Sequence, residues 1–359
     1  MKICTIIAEF NPLHTGHKRL IDFAKSFADT VVVVLSGNYT QRGLPAVSSK
    51  HNRAKHAILA GAHLVVELPT IFATASAQNF AAAGVQIANK IGSHYLLFGS
   101  ESGNIQQLTQ CAKDMLECQQ NNDTIKALLN QGLSYPQAVA AAFDKYQQLL
   151  AAPNNLLAVE YLKAIYTSNC TIVPVTLQRT SNYNDSDGQS SKSIRSALQM
   201  GLSHNECFDY VLHECSTAAE DNFKQYVARA ISTMDCDYLS TIEGVTEGLE
   251  NRIYKYATCG SYDQLVANLK TKRYTQLKLQ RILTNACLGV TKQMVQQAKG
   301  LPIPVQILAV NKDREDLLSH LATTREELNP TVTNLTMLAD RLYQACSNKP
   351  CPQNFILKV

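Results

Sequence analysis

The chain of 359 residues has no apolar run of membrane-spanning length, and its N-terminus lacks the apolar segment of a signal peptide. These absences predict a cytoplasmic protein that does not work in a membrane. Eleven cysteines are present, but none stands in a C-x-x-C pair. They are scattered through apolar segments, which indicates buried thiols and predicts neither disulfides nor a metal site. The length allows a substantial core and two domains.

The sequence also has little net charge. A formal charge of +4 at pH 7 is too small to indicate nucleic-acid binding by itself. The distribution of charge along the chain is more informative than this total.

The first forty-three residues carry the clearest motif. An apolar run, Ile3–Phe10, meets the turn Asn11-Pro12-Leu13, and His14-Thr15-Gly16-His17 then opens an amphipathic helix. A second apolar run, Val31–Leu35, leads into Ser36–Gly43. A strand, His-x-Gly-His and a helix in this order are typical of proteins that grip the phosphates of a nucleoside triphosphate during attack on its α-phosphorus.

The residue types suit this chemistry. Gly16 has no Cβ, so a ligand can approach the backbone, and the first N–H groups of the helix have no partners within it. His14 and His17 can both donate to phosphate oxygens whose charge grows in the transition state, and neither has to act as a base. The alternative is two ordinary surface histidines beside a turn glycine.

Short apolar segments alternate with helical ones over the first two hundred residues. This order predicts an α/β fold with a doubly wound parallel sheet, and ligands are then expected at the carboxyl ends of the strands. Predicted strands are Ile3–Phe10, Val31–Leu35, Leu64–Leu68, Tyr95–Phe98 and Thr171–Val175, and predicted helices are 17–28, Ser49–Ala60, Ser76–Lys90, Gln106–Cys118, Tyr135–Leu150 and Asn154–Ile165. Helical periodicity dominates afterwards. We therefore predict a nucleotide-binding domain over residues 1–200 and a mainly helical domain over 201–359.

Several further groups follow predicted strands. Ser36-Gly37-Asn38 and Phe98-Gly99-Ser100-Glu101 each carry a glycine that could leave room for a base or a ribose, although a plain turn glycine is the alternative. Arg42 could bind a phosphate or a carboxylate, or it could be a solvated loop arginine. Ser190–Arg195 could bind an anion at a helix N-terminus or form an unliganded capping box. The Ser-, Asn- and Asp-rich stretch 182–192 reads as a mobile surface loop, and 347–359 as irregular.

These motifs resemble known families. The turn from Phe10 to His17, with Ser190–Arg195, resembles the nucleotidylyltransferase superfamily of HUP/Rossmann-like folds. A narrower set of motifs looks like the bacterial tRNA(Met) cytidine acetate ligases. These motifs are Ser36–Gly43, Glu67-Leu68-Pro69, Phe98–Glu101, Pro153–Leu157, Glu243-Gly244, Glu247–Ile253 and Lys272–Thr275.

The resemblance implies an ATP-dependent ligase. It implies that acetate and ATP give acetyl-adenylate and pyrophosphate, and that the acetyl group passes to N4 of the wobble cytidine, position 34, of elongator tRNA(Met). The chemistry of the residues predicts that His14, His17 and Arg42 are the catalytic ones. Implied ATP contacts are Ile7, Phe10, Asn11, Pro12, His14, Gly16, His17, Leu20, Gly99, Asn154 (or its neighbour Asn155), Arg179, Ser193 and Arg195.

The chemistry of such a reaction is compatible with the residues present. A carboxylate nucleophile needs cations beside a triphosphate, and His14, His17, Lys18, Arg42 and Arg179 could supply them. Acetate is already ionised at neutral pH, so no general base is required. The expected cofactors are ATP and Mg²⁺, the latter bound mainly through phosphates and waters.

A basic stretch indicates the second substrate. Between Arg252 and Arg281 seven basic residues stand against one acid, Asp263, so this stretch alone exceeds the net charge of the whole chain. Tyrosines are interleaved with the cations, as expected for stacking on unpaired bases, although a solvated basic helix face is the alternative. The predicted tRNA contacts are Lys270, Lys272, Arg273, Tyr274, Lys278 and Arg281.

Three classes of function stay open from the sequence alone. They are the acetate ligase acting on tRNA, a small-molecule adenylyltransferase of the nicotinamide or pantetheine phosphate type, and a non-catalytic RNA-binding protein. The basic second domain argues against the small-molecule enzyme, and the intact His14–His17 motif argues against the non-catalytic protein. A Lys-Met-Ser-Lys-Ser loop of class I aminoacyl-tRNA synthetases is not present. No stable protein partner is evident.

Overall fold

The computed structural model describes residues 1–119, 123–133, 135–179, 190–202, 205–321, 329–348 and 356–359. The predicted loop 182–192 lies largely outside these residues, as does most of the predicted irregular end 347–359. In the described parts of the chain, no helix is both long enough and apolar enough to cross a membrane.

A mostly parallel sheet of seven strands organises the molecule. The strands are β1 (Ile3–Ala8), β2 (Thr30–Ser36), β3 (Leu64–Leu68), β4 (Tyr95–Ser100), β5 (Val173–Gln178), β6 (Ile307–Val310) and β7 (Leu357–Lys358). Their order is β5-β4-β1-β2-β3-β6-β7, and the first five strands of the chain run parallel to one another. The order reverses at β1, because β2 lies on one side of it and β4 on the other. This confirms the predicted doubly wound α/β fold.

Helices cover both faces of the sheet over the first two hundred residues. These helices are α1 (Thr15–Lys25), α2 (Lys50–Leu59), α3 (Thr70–Ala73), α4 (Ala77–Lys90), α5 (Ile105–Gln119), α6 (Asp123–Asn130), α7 (Tyr135–Ala142), α8 (Gln147–Ala151), α9 (Pro153–Thr167) and α10 (Ser191–Gln199). The single helix predicted over Tyr135–Leu150 is wrong, because a 3₁₀ turn at Asp144–Tyr146 separates α7 from α8. The hydroxyl of Tyr146 donates to Asp114 on α5, which anchors this break.

The remainder is mainly helical, as predicted. Its helices are α11 (Asp209–Leu212), α12 (Ala218–Ile231), α13 (Cys236–Thr241), α14 (Leu249–Tyr256), α15 (Tyr262–Leu269), α16 (Gln276–Leu288), α17 (Lys292–Lys299), α18 (Asp316–His320) and α19 (Pro330–Ser347), with a 3₁₀ turn at Lys312–Arg314. This part of the chain also contributes two strands to the sheet, which the sequence analysis did not predict. β6 pairs antiparallel with β3, and β7 pairs with β6. The domain division at residue 200 stays a prediction.

Successive side chains of the strands point to opposite faces of the sheet and pack into two separate hydrophobic cores. In β2, Val32 and Val34 join the core beneath α4, α5 and α9, which continues into α12, α16 and α19. Val31 and Val33 join the other core, beneath α1 and α2. All residues of β2 are buried, which is why the strand reads as a continuous apolar run.

Candidate active site

A cavity of about 1140 Å³ opens at the carboxyl ends of β1, β4 and β5, where the strand order reverses. This is the position at which doubly wound sheets bind ligands. The turn after β1, the starts of α9 and α10, and α16 also line the cavity. Ile7, Phe10 and Leu20 contribute an apolar part of its wall.

His14 and His17 stand together in this cavity. His14 is the N-cap of α1, and its Nδ1 accepts a hydrogen bond from the N–H of Gly16 at 3.1 Å. The Nδ1 of His17 accepts from the N–H of His14 at 3.3 Å, and the two ring centroids are 3.9 Å apart. Since Nδ1 is an acceptor in both rings, a neutral ring carries its proton on Nε2. The donor of each neutral ring is therefore Nε2–H.

The environment of His17 keeps its ring neutral. Burial lowers its pKa well below the ordinary value, and the charges of His14 and Arg179 lower that pKa further. Arg179 also lines the cavity, and its Nε is buried without a hydrogen-bond partner among the described residues. A buried guanidinium N–H of this kind is ready to bind an anion.

Contacts from distant parts of the chain hold the turn before α1. The Oδ1 of Asn11 accepts from the N–H of Val47 at 2.8 Å, and the hydroxyl of Ser191 donates to the carbonyl of Pro12 at 3.2 Å. Arg195 donates to the carbonyl of Asn11. The side-chain oxygen of Asn11 is thus engaged within the fold, and Pro12 does not line the cavity.

Arg42 and Arg195 bring two positive charges to one side of the cavity. Burial, with a contribution from the charge of Arg42, lowers the pKa of Arg195 to about 10. Arg195 therefore stays cationic at neutral pH. An anion bound between the two guanidinium groups would relieve their repulsion.

Glu101 decides the orientation of the two asparagines at the start of α9. Its carboxylate accepts from the N–H and the Nδ2 of Asn154, the latter at 2.7 Å, and from the N–H of Asn155 at 2.8 Å. Asn155 is buried and donates to the carbonyl of Leu149. Only Asn154 lines the cavity, beside Gly99. The geometry thus favours Asn154 over Asn155 as a ligand contact.

The segment Ser190–Arg195 forms a capping box. Ser190 and Ser193 cap α10 reciprocally, and the hydroxyl of Ser193 donates to the carbonyl of Ser190 at 2.7 Å. Ser193 does not line the cavity, whereas Ser190, Ser191 and Arg195 do. The capping-box alternative therefore accounts for Ser193, and an anion in the cavity would meet Ser190, Ser191 and Arg195.

The loop after β2 is packed inside the protein and leaves no space for a base. A Cβ on Gly37 would lie 2.7 Å from the carboxylate of Glu67. Asn38 donates to Asp340 of α19 at 2.8 Å, and Lys50 lies between Glu67 and Asp340, with Nζ to oxygen distances of 2.8 and 2.7 Å. The expectation that Gly37 makes room for a nucleotide is wrong, because a buried ionic cluster fills that space.

The predicted tRNA contacts divide into cavity-lining, exposed and buried residues. Arg273, Lys278 and Arg281 line the same cavity as the histidines, and Lys270 and Lys272 are exposed. Arg273 pairs with Glu247, and burial followed by the charge of Arg273 lowers the pKa of Lys278.

Tyr274 does not fit the predicted stacking role. Only 7% of the residue is exposed, and its hydroxyl donates to the carbonyl of Thr246 at 2.6 Å. Its ring is closed to a base in this structure, because the residue belongs to the buried core and Lys278 Nζ lies over the ring, 4.6 Å from its centroid.

Comparisons with known proteins find one family along nearly the whole chain. The model of the HIGH Nucleotidyl Transferase family matches residues 1–354. A tRNA(Met) cytidine acetate ligase of Acetivibrio thermocellus is 37% identical over an alignment covering 89% of this chain and 86% of the relative. A protein of the same name from Geobacillus sp. (strain WCH70) is 33% identical, with coverage of 96% and 92%.

The chain belongs to the tRNA(Met) cytidine acetate ligase family.

Solved structures agree with this family in fold. The crystal structure of Thermotoga maritima TmcAL bound with alpha-thio ATP has a TM-score of 0.88 at 24% identity, and the alignment covers all of both chains. The apo form of the same protein gives a TM-score of 0.89. At this identity the likeness shows the fold.

One residue that supports the cavity of this acetate ligase family member, Arg53, was not predicted from the sequence. Arg53 is fully buried and donates to the carbonyls of Glu9 and Ser48, to the carbonyl of Gly37, and to the hydroxyl of Ser36. It thereby joins the carboxyl ends of β1 and β2 beneath the cavity. Its position inside an amphipathic helix gave no signal, because an arginine there normally faces solvent.

Proposed function

We propose that this chain is an ATP-dependent acetate ligase that acts on tRNA. It forms acetyl-adenylate from acetate and ATP, and then acetylates N4 of the wobble cytidine, position 34, of elongator tRNA(Met). The observation that carries the proposal is the cavity at the switch point of the sheet, in which two Nε2–H donors and several guanidinium groups meet. The names of the family members supply the substrate class.

The phosphates of ATP would lie against α1 and the two histidines. In this arrangement His14 and His17 donate from Nε2 to oxygens of the α- and β-phosphates, whose charge grows as the carboxylate attacks. Asn154 and Gly99 would contact the nucleoside, and Arg179 would donate its buried Nε–H to an anionic group. A neutral His17 suits this role, because it donates without protonation or deprotonation during the reaction.

Acetate must come close to a polyanion, and the cations of the cavity make this approach favourable. Arg42 and Arg195 would hold the carboxylate and the phosphates at the same time. One carboxylate oxygen attacks the α-phosphorus, and the bond from that phosphorus to the β-phosphate oxygen breaks, which releases pyrophosphate. Acetate is an anion at neutral pH, so this step needs no base.

Mg²⁺ would be held mainly by the phosphates and by water. The described residues contain no group of three or more His, Cys, Asp or Glu side chains arranged to hold a metal. Glu9 lines the cavity, but its Oε1 already accepts from the N–H of Gln41 at 2.6 Å. This donor set fits a metal that arrives with ATP and neutralises its charge.

The tRNA would bind across α16 and the segment before it. Lys270, Lys272, Arg273, Lys278 and Arg281 would contact its phosphates, and the wobble nucleoside would enter the cavity from this side. A substrate of this class also implies a cytoplasmic location.

The test is mass spectrometry of nucleosides. Purified tRNA(Met) that lacks the modification is incubated with the enzyme, ATP, Mg²⁺ and acetate, and the expected product is N4-acetylcytidine. Parallel reactions omit ATP or acetate, and both omissions should abolish the product. If acetate-independent turnover of a phosphorylated metabolite appeared and no acetylated nucleoside formed, the proposal would be wrong.

A further inference from the structure

Gln41 occupies the boundary between the two proposed substrate regions. Its N–H donates to the carboxylate of Glu9, at the end of β1, over 2.6 Å. Its carbonyl accepts from the guanidinium of Arg281, on α16, over 3.3 Å. The backbone of Gln41 is therefore fixed from the adenylate side and from the tRNA side of the cavity.

The side chain of Gln41 lines the same cavity with an unused donor. Its Nε2 is buried and has no hydrogen-bond partner anywhere in the described residues. Buried amide groups are nearly always paired in folded proteins, so an unpaired donor at the wall of a ligand cavity calls for a ligand acceptor. An amide N–H is a donor to oxygen.

Packing against α16 gives this donor a rigid support. Gly43, with φ of +77°, lies so close to α16 that a Cβ would come within 2.6 Å of the backbone nitrogen of Arg281. The hydroxyl of Thr284 donates to the carbonyl of Gly43. Tyr39, two residues before Gln41, is fully buried and its ring contacts that of Phe223. A donor held in place before the reaction costs little reorganisation when charge develops beside it.

We infer that the amide of Gln41 is the oxyanion donor for acetyl transfer to the acceptor amine. This inference rests on the proposed function. The amine nitrogen attacks the acetyl carbonyl carbon, a C–N bond forms, and the carbonyl π pair moves to oxygen, where the Nε2–H group donates to it. The C–O bond to the adenylate phosphate then breaks, AMP leaves, and the proton lost by the amine passes to the departing phosphate.

This assignment separates the two half-reactions. Adenylation places its developing charge on phosphate oxygens, which the histidines serve, whereas transfer places it on the acetyl oxygen. Replacement of Gln41 should therefore slow transfer far more than adenylation. Loss of one oxyanion donor costs about 100- to 1000-fold in rate.

The experiment uses the full chain and two substitutions. Gln41→Met keeps the length of the side chain without the donor, and Gln41→Glu replaces the donor by an acceptor. Three quantities are measured: exchange of labelled pyrophosphate into ATP with acetate, the affinity for tRNA(Met), and the single-turnover rate of acetyl transfer from adenylate formed in advance. Gln296→Met, at an exposed position of α17 that does not line the cavity, is the matched control.

We expect a transfer rate about 100-fold or more below wild type in both variants. In Gln41→Met, which adds no charge beside the phosphates, we expect exchange and tRNA affinity within a few-fold of wild type. Loss of exchange to the same extent would overturn the inference and assign Gln41 to ATP or acetate. Weaker tRNA binding with an unchanged transfer rate would overturn it in favour of base recognition, and three unchanged quantities would overturn it outright. Failure of the proposed function is distinguishable, because the wild-type enzyme itself would then produce no acetylated nucleoside.

Discussion

The backbone N–H of His14 donates to Nδ1 of His17 over 3.3 Å, so the first histidine fixes the ring of the second. This contact is possible because His14 caps α1 and the third residue of the helix turns back toward the cap. The His-x-Gly-His spacing thus positions two rings with one short stretch of chain. In both rings Nδ1 is engaged within this turn.

The first prediction concerns the protonation of His17. Its folded-state pKa lies below the ordinary value of about 6.5, so the ring should stay neutral, with its proton on Nε2, from about pH 6 to 8. The unfolded chain takes up this proton more readily. The stabilising contribution is therefore present above about pH 6.5 and is lost as the pH falls below it. Imidazole ¹⁵N chemical shifts report both features, and a midpoint near 6.5 or an Nδ1–H pattern would contradict the assignment.

The second prediction concerns the two imidazole donors. His14→Ala and His17→Ala should each reduce acetate-dependent pyrophosphate exchange by about 100-fold or more, since each removes a donor to developing charge. His213→Ala is a suitable control, because His213 is exposed and does not line the cavity. Near-normal exchange in a folded variant would remove that histidine from the site.

The third prediction concerns the tRNA face. Lys272 is exposed, so Lys272→Ala should leave exchange unchanged, weaken tRNA binding, and reduce the slope of log K against log salt by about one unit. Lys299→Ala, another exposed lysine, serves as the control. Equal salt slopes for wild type and Lys272→Ala would mean that this lysine touches no phosphate.

The fourth prediction separates structure from binding at Tyr274. Tyr274→Phe loses the hydrogen bond to Thr246 and should lower the free energy of unfolding by about 1 kcal/mol, measured by urea denaturation. The affinity of the folded variant for tRNA should not change. Tyr254→Phe is the exposed counterpart and should change neither quantity. A large loss of tRNA affinity in folded Tyr274→Phe would restore a direct role in binding.

The fifth prediction concerns the buried ionic cluster. Burial alone would lower the pKa of Lys50, but Glu67 and Asp340 outweigh it and raise that pKa. Lys50→Met leaves two buried carboxylates without their cation, at an expected cost of about 3–5 kcal/mol at pH 7.

The pH dependence of that cost gives the check. Burial raises the pKa of Glu67 and of Asp340, so the folded variant binds protons more readily than the unfolded chain. The destabilisation of Lys50→Met should therefore shrink as the pH is lowered from about 7 to 5. Lys55→Met, which breaks a partly exposed pair with Glu214, should cost less than about 1 kcal/mol. A cost in Lys50→Met that is independent of pH would show that the carboxylates stay charged.

Local patterns were sufficient for much of the fold. The strands β1 to β4 and the helices between them follow from short apolar runs and 3.6-residue periodicity, and each signal lies within its own segment. The strand Ile307–Val310 could not be found in this way. Its partner is β3, far earlier in the chain, and the prolines Pro302 and Pro304 just before it make the segment read as a loop.

Residue type predicted which side chains meet in the cavity better than it predicted exposure. The histidines, Arg42, Arg179 and Arg195 do meet there. Tyr274 was assigned to stacking because tyrosine among cations suggests it, yet a sequence does not state which side chains of a connecting segment are buried. No role was predicted for Glu101 either. Its carboxylate binds the start of α9, and that contact depends on the tertiary fold.

The pairing of β3 with β6 also affects how the protein folds while it is being synthesised at the ribosome. The chain is made from the N-terminus, so β1 to β5 emerge long before Ile307–Val310 exists. During that interval β3 is an open sheet edge, with Glu67 and Lys50 still lacking Asp340. Residues 1–200 expressed alone would keep this edge permanently. We expect such a fragment to aggregate, and light scattering against the full chain would measure it.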